Sequence, residues 1–218
     1  MHYKKVIPIV LFSVFICSCS DDKGNNPDVN LDKKALLENY ADNLIIPSFD
    51  SLFNAVSALK SSFDDLADGY SANKLSKLQF AFYDSQISWE NCSPYGFGPA
   101  EDVLLRQSLN TFPTDTNRIN ENIRTGEYSL MTTSNFKAKG LPALDYLLFG
   151  YDLSAEESIF SDTKRLDYIK DLINDIYINV ESVKNGWKTY RDSFISKTGN
   201  DVGSSLSLLV NQYIYDYE

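Results

Sequence analysis

The feature that most constrains the fold is a run of apolar residues near the C-terminal end of the chain, spaced alternately three and four positions apart. The run comprises Leu166, Ile169, Ile173, Ile176, Val180, Val183, Trp187, Tyr190 and Phe194. This spacing places every member on one stripe of a long helix, which must be covered by other helices. The run therefore predicts an all-α protein built as an antiparallel up-and-down helical bundle.

Two earlier segments have the same helical character. Asp32 to Asp68 carries an apolar seam, and Pro47 within it predicts a kink or break near Ile46. Ser71 to Trp89 predicts a second helix. The two stripes consist of Leu52, Val56, Leu59, Phe63 and Leu66 in the first segment, and Leu75, Leu78, Phe82 and Trp89 in the second. No segment shows the alternation of a half-buried strand, and no internal repeat is visible.

A short apolar stretch bounded by glycines, Lys139 to Gly150, predicts a buried helix in the middle of the chain. Its leucines, Leu141, Leu144, Leu147 and Leu148, recur at helical spacing. Gly140 opens the stretch and Pro142 lies in the first turn, where a missing N–H costs little. We expect Gly150 to end the helix in a left-handed conformation.

This stretch resembles the signature of the imelysin-like family, the insulin-cleaving metalloproteinases, which runs Gly-x-His-x-x-Glu followed by an aromatic-Leu-Leu-aromatic-Gly tail. The tail is present as Tyr146 to Gly150, and the leading glycine is Gly140. Pro142 stands where the family has its His, and Asp145 stands where it has Glu. Further landmarks occur in family order: Asn39-Tyr40-Ala41 before Pro47, Trp89 followed by Phe97-Gly98-Pro99, and Phe112-Pro113 before Asp115.

The resemblance implies the first domain of a two-domain helical fold, with a second helical domain starting near residue 200. It also implies a role linked to uptake of iron or another metal, or, as the family's older name suggests, an extracytoplasmic metallopeptidase. A degenerate or truncated copy without activity is a third hypothesis. The last segment predicts one more amphipathic face, formed by Leu206, Val210, Tyr213 and Tyr217.

Residues that usually bind zinc are scarce in this chain. The only His is His2, and beyond the leader only Cys92 offers a free thiol, which we expect to be buried and structural. Asp145 is the one signature position that still carries a donor, for an iron, copper or zinc cation, or else it pairs with a cation such as Arg106. Two other acidic groups, Glu101-Asp102 and Asp64-Asp65-Asp68, offer oxygen ligands without the spacing of a calcium loop.

The N-terminal segment resembles a bacterial lipoprotein signal. Lys4 and Lys5 precede an apolar run from Val6 to Ile16, which is too short for a mature membrane span, and Cys19 follows. This predicts a signal peptide over 1–18, lipidation of Cys19 (Cys17 being the alternative), a flexible tether over 19–30 and an imelysin-like domain over 31–218. The expected location is the outer membrane of a Gram-negative-type bacterium, with the domain facing the periplasm or the surface.

The charge balance limits the class of partner. The formal net charge is −10, and removal of the leader with Lys4 and Lys5 leaves about −12. Such an acidic chain is unsuited to binding phosphate backbones, so nucleic acid is not expected as a partner. A metal ion, an envelope protein and the membrane reached through the lipid anchor remain as expected partners.

The acidic loop from Asp152 to Asp162 contains a predicted capping box, formed by Ser154 and Glu157 at the start of a helix.

Overall fold

A computed structural model describes residues 31–217, and the predicted signal peptide, lipid anchor and tether lie outside this range. The described part is helical without strands. The helices are α1 (Lys33–Tyr40), α2 (Ile46–Ala67), α3 (Ala72–Cys92), α4 (Pro99–Asp102), α5 (Leu105–Leu109), α6 (Thr116–Thr125), α7 (Gly140–Phe149), α8 (Glu156–Ile159), α9 (Thr163–Ser196) and α10 (Ser205–Tyr217). The predicted all-α fold is confirmed.

Helices α2, α3 and α9 form the trunk of the molecule. A short turn joins α2 to α3, so these two pack antiparallel, and α2 also packs against α9. Cross-contacts give the direction of α9: Arg191 contacts Asp42, Lys184 contacts Asp50 and Lys60 contacts Asn174. Residues later in α9 thus contact residues earlier in α2 and in the segment just before it, so α9 is antiparallel to α2.

The apolar stripes predicted from spacing form the core. All the named stripe residues of α2 and α3 are buried, and on α9 only Leu166 and Tyr190 are partly exposed. The residues Asp32 to Glu218 form one compact unit, while the expected start of a second domain near residue 200 stays a prediction. Within residues 31–217, no helix combines the length and hydrophobicity that crossing a bilayer requires.

Side-chain oxygens begin several helices by accepting a hydrogen bond from the exposed backbone N–H groups of the first turn. The capping residues are Asp32 for α1, Ser71 for α3, Asp115 for α6 and Asp162 for α9. The predicted capping box of Ser154 and Glu157 is wrong. Asp152 caps that segment instead by accepting from the Ser154 N–H at 2.9 Å, because its carboxylate reaches the first free N–H of the short 3₁₀ turn.

Near Ile46, where Pro47 predicts a kink or break, the structure has a π-helical segment, Ala41–Ile45, between α1 and α2. Pro47 has no N–H to donate to the carbonyl four residues earlier. The Ile46 N–H donates instead to the Ala41 carbonyl, five residues back. The chain therefore stays helical through the irregularity and widens by one residue.

The landmark Phe97-Gly98-Pro99 packs against the middle of α9. Phe97 lies edge-on to Trp187, with ring centroids 5.9 Å apart. Pro99 lies so close to Gly186 that a Cβ at position 186 would stand 2.7 Å from the proline side chain. Gly186 is thus required by this close approach, which positions α4 and the segment leading to α5 and α7.

Candidate functional site

The signature helix α7 is held in the interior by its leucines and by a special backbone geometry at its first residue. Gly140 has φ +79°, a left-handed conformation that favours glycine. A Cβ there would lie 2.7 Å from the Ser108 carbonyl oxygen and closer still to that of Leu109. The four leucines predicted to be buried, Leu141, Leu144, Leu147 and Leu148, are all 2% exposed or less. The glycine that the signature requires is therefore needed for packing against α5.

The other predicted glycine conformation is wrong. Gly150 has φ −84° and ψ 49°, outside the left-handed region. Its N–H donates to the Tyr146 carbonyl at 2.9 Å, so the helix closes on an ordinary turn. Two side chains satisfy free carbonyls at this end: Gln79 donates to the Leu148 oxygen at 2.8 Å and Arg165 donates to the Leu147 oxygen at 2.7 Å.

The two positions that carry chemistry in the family signature are separated from other donors in this chain. Pro142 is half-buried in the first turn and has no side-chain donor. Asp145 is exposed to solvent, although the atoms around it still remove part of the hydration of its carboxyl and so raise the pKa. Across residues 31–217, no three side chains of His, Cys, Asp or Glu come together as a metal-binding group. The residues of the signature therefore do not fit a metal centre, since one carboxylate cannot complete a coordination shell.

The proposed pairing of Asp145 with Arg106 is wrong. Arg106 forms an ion pair with Asp216 of α10 and donates to the Ser93 carbonyl at 2.8 Å. The guanidinium also lies over the Tyr215 ring of α10, 5.3 Å from the centroid.

The other acidic groups predicted as oxygen ligands do not come together either: Asp64 and Asp65 each pair with a lysine, while Glu101 and Asp102 are exposed. The thiol of Cys92 is buried, and burial raises its pKa to about 12.

The entry to α7 contains a buried ion pair that the sequence did not reveal. The Lys139 ammonium lies 3.1 Å from a carboxylate oxygen of Asp175 on α9, and the side chains are 3% and 10% exposed. Burial raises the pKa of the Asp175 carboxyl, and the lysine charge opposes that rise. Beside the pair is an open cavity of about 350 Å³ with Val103, Leu104 and Phe136 in its walls. The pair joins the signature to the long helix.

A second buried polar network fixes the segment that precedes α7. The Tyr168 hydroxyl donates to the Ala138 carbonyl at 2.6 Å and accepts from the Asn122 amide at 3.0 Å. The same amide donates to Asn135 at 2.9 Å. Helices α6 and α9 thereby hold the 3₁₀ turn Thr133–Ala138 in place. Tyr168 was absent from the apolar stripe, and neither Asn122 on α6 nor Asn135 in the 3₁₀ turn gave a sequence signal for this network.

Two tyrosines and a glutamate meet just beyond the C-terminal end of α7. The Tyr70 hydroxyl lies 2.5 Å from one carboxylate oxygen of Glu156, and the Tyr151 hydroxyl lies 3.1 Å from the other. We call these three residues the Tyr–Glu–Tyr cluster. Its members are partly buried and come from three places: the turn before α3, the second residue after α7 and the start of α8. The hydrogen bond to Glu156 raises the pKa of Tyr70 to about 12, and burial raises that of Tyr151.

The outer face of α10 is apolar and exposed, as the predicted stripe indicates. Tyr213 and Tyr217 are 63% and 85% exposed and stack on one another with centroids 6.3 Å apart. A groove of about 450 Å³ runs beside them. Its lining includes Tyr40, Leu44, Tyr95, Leu209, Tyr213 and Ile214. An exposed apolar groove with aromatic walls is typical of a surface that binds a partner.

Two solved proteins have a fold similar to that of this chain. A solved protein of Parabacteroides distasonis ATCC 8503, named an iron-regulated protein A precursor, matches at 21% identity with a TM-score of 0.70 over 83% of this chain and 54% of its own. An imelysin-like protein from Psychrobacter arcticus 273-4 matches at 16% identity with a TM-score of 0.66, over 84% and 58%. This chain thus spans less than two thirds of either structure. No curated protein matches it.

The similarity to these two structures shows a shared fold. The family is shown separately, by a sequence model of a protein family that matches most of the chain. The imelysin family model, Peptidase_M75, matches residues 45–218. The match includes α2, the signature helix and the long helix α9. The chain belongs to the imelysin family.

Proposed function

We propose that this chain is a non-catalytic binding component of a bacterial cell envelope, anchored by a lipid on Cys19 and linked to uptake of iron or another metal. One observation carries the proposal. The signature helix keeps every packing residue of its family pattern, while its two donor positions hold Pro142 and the solitary, exposed Asp145. A metallopeptidase needs several ligands and a base around one metal ion, and this helix offers neither.

The link to iron is supported by the relative from Parabacteroides distasonis, whose name describes an iron-regulated protein precursor. The envelope location is supported by the N-terminal sequence, in which Lys4 and Lys5, an apolar run and Cys19 follow in the order of a lipoprotein signal. A strongly acidic domain on a short tether suits an extracytoplasmic position, where solubility comes from net charge.

The surface proposed for binding is the groove beside α10. It combines exposed aromatic rings with a concave apolar lining, which are features of sites that receive an apolar helix face. The only charged residue of α10, Asp216, is neutralised by Arg106, so this surface is close to neutral in a chain of net charge −10. A helical segment of an envelope protein is the proposed occupant, because such a segment buries the rings without facing like charge.

Growth of the native host under iron limitation tests the function. Deletion of the gene is expected to reduce growth when a chelator limits iron, and the wild-type chain should restore it. A Cys19→Ala chain should fail to restore growth because it loses its anchor, whereas a Cys92→Ala chain should succeed. Equal growth of the deletion strain and its parent would contradict the link to iron, and chelator-sensitive proteolysis by the purified chain would contradict the non-catalytic role.

A further inference from the structure

Two buried polar side chains in the wall of one cavity have hydrogen-bonding capacity that the protein leaves unused. The cavity is the one of about 350 Å³ beside the buried ion pair, and we call it the Lys139 cavity. Ser108 and Lys139 in its wall are 4% and 3% exposed. Within residues 31–217, the Ser108 hydroxyl forms no hydrogen bond, and the Lys139 ammonium, with three N–H groups, has Asp175 as its one polar partner. Because buried polar groups are nearly always hydrogen-bonded, these donors indicate a site that another molecule completes.

The rest of the cavity wall is mainly apolar. Leu104, Met131 and Phe136 line it, and the Lys139 ammonium lies 5.3 Å from the centroid of the Phe136 ring. Asn179 also lines the cavity, and its amide nitrogen donates to a backbone carbonyl at 2.7 Å, which leaves its amide oxygen as an acceptor. An apolar wall with a few polar groups is the common form of a small-molecule site, and an apolar cavity of about 150 Å³ already holds benzene.

Leu104 gives the cavity wall a strained backbone. Its φ of +48° lies in the left-handed region, which bulky residues rarely adopt. Burial does not compensate for this strain in the free protein, since the side chain is 49% exposed. Backbone strain of this kind concentrates at ligand-binding sites. A molecule in the cavity would cover the exposed part of the leucine.

We propose that the Lys139 cavity binds a small uncharged molecule that combines an apolar ring with a carbonyl oxygen, as an aromatic carboxamide does. The carbonyl oxygen accepts hydrogen bonds from the Lys139 ammonium and the Ser108 hydroxyl, and an amide N–H donates to the Asn179 oxygen. The ring packs against Leu104 and Phe136. This site goes beyond the proposed envelope role, because it shares no residue with the groove beside α10.

The charges around the cavity favour an uncharged ligand. The charge of Lys139 is balanced by Asp175 at 3.1 Å, and the exposed Asp102 also lines the cavity. An anion would add a third negative charge near these two carboxylates, and a cation would lie against the ammonium. A carbonyl oxygen accepts from Lys139 without bringing a charge that has to leave water.

Met131 gives the cavity a reporter of its own, because it is the only methionine after Met1. The test labels the methionine methyl group of the chain from Ser20 onward with carbon-13 and follows its NMR signal during titration with benzamide. That chain retains the compact unit from Asp32 to Glu218. The expected result is a shift that saturates at one benzamide per chain. Benzoate and benzylamine carry the same ring with a negative or a positive charge, and they should bind at least about tenfold more weakly.

Variants of the wall test the contribution of each group. Ser108→Ala should lower benzamide affinity at least about threefold, and Lys139→Leu/Asp175→Leu at least about tenfold, because each removes a donor to the carbonyl oxygen. Toluene, which has the ring without a polar atom, should bind equally to the wild-type and Ser108→Ala chains. Leu104→Asn should weaken benzamide binding while the unfolding temperature stays equal or rises, since Asn tolerates the left-handed conformation.

A matched serine separates binding from folding. Ser85 is buried outside the cavity, and its hydroxyl donates to the Ala81 carbonyl at 2.9 Å. Ser85→Ala should lower the unfolding temperature and leave benzamide affinity unchanged, whereas Ser108→Ala should do the reverse. An unshifted Met131 signal, tighter binding of benzoate than of benzamide, or equal benzamide affinity in the wild-type and Ser108→Ala chains would overturn the proposal. The envelope role is tested separately, by growth of the host.

Discussion

The Lys139 ammonium and the Asp175 carboxylate form a buried ion pair 3.1 Å long between the start of the signature helix and the middle of α9. Removing one partner leaves the other charge buried and unpaired. Lys139→Met is therefore expected to lower the free energy of unfolding by about 3–5 kcal/mol. The double variant Lys139→Met/Asp175→Leu should recover most of this loss, because no buried charge remains.

Urea unfolding followed by circular dichroism measures these changes. The exposed pair of Lys34 and Glu38 on α1 provides the control, since its loss in Lys34→Met should cost at most about 1 kcal/mol. A double variant that is no more stable than Lys139→Met would contradict this expectation, because it would show that the unpaired Asp175 charge is not the source of the loss.

The α-carbon of Gly140 packs against the backbone of α5. This contact predicts that adding one methyl group at position 140 lowers the stability of the fold strongly. Gly140→Ala is expected to destabilise the fold by more than about 3 kcal/mol, because left-handed strain of about 1–2 kcal/mol adds to a clash with the carbonyl groups of Ser108 and Leu109. Gly126→Ala is the matched control, since Gly126 has φ +70° with open space around it and should show the strain alone. Equal losses in the two variants would contradict the packing role of the signature glycine.

The parts of the fold that sequence predicted are those in which one residue pattern has one physical solution. Alternating spacings of three and four require a helix with a buried stripe, and the stripes of α2, α3 and α9 are buried as predicted. The signature stretch likewise forms the predicted buried helix, α7. Pro47 predicted a kink or break because it lacks an N–H, and the structure has a π segment there that keeps the chain helical.

The candidate site was harder to predict because its contacts join residues from separate elements. Lys139 and Asp175 gave no sequence signal, since a charged residue on an apolar helix is usually solvated. The Tyr–Glu–Tyr cluster uses residues at turns and helix ends, where no periodicity exists to indicate a shared position. The predicted pairing of Arg106 with Asp145 was wrong for the same reason, because Arg106 contacts Asp216 and Tyr215 of the last helix instead.

The hydroxyl of Tyr168 connects α6 and α9 to the backbone before the signature, so its removal should be costly. Tyr168→Phe leaves the Ala138 carbonyl and the Asn122 amide without this partner in a buried position. The expected loss is about 1–3 kcal/mol of unfolding free energy, measured by urea denaturation. Tyr177→Phe, whose hydroxyl makes only a 3.4 Å contact with Glu181 on the same helix, should change stability by less than about 0.5 kcal/mol. A loss below that value for Tyr168→Phe would rule out the network as a support of α7.

The exposed face of α10 should bind apolar molecules without contributing to stability. Tyr213→Lys and Ile214→Lys are expected to change the unfolding free energy by less than about 0.5 kcal/mol, because both side chains are more than half exposed. The same variants should reduce the fluorescence of the apolar dye ANS, which enters exposed hydrophobic grooves. Leu209→Lys, at a position 7% exposed, should instead cost more than about 2 kcal/mol. Unchanged dye fluorescence in Tyr213→Lys would contradict the groove as a binding surface.

The central claim is that the signature helix survives in this protein as a packing element and has lost its metal chemistry. Calorimetric titration of the chain from Ser20 with zinc, cupric, ferrous and ferric ions, beside Asp145→Ala, tests it most directly. The account predicts the same isotherm for both chains with every ion, because a single carboxylate on α7 cannot complete a coordination shell. Stoichiometric binding of any ion that is lost in Asp145→Ala would show that the signature still holds a metal and would contradict the account.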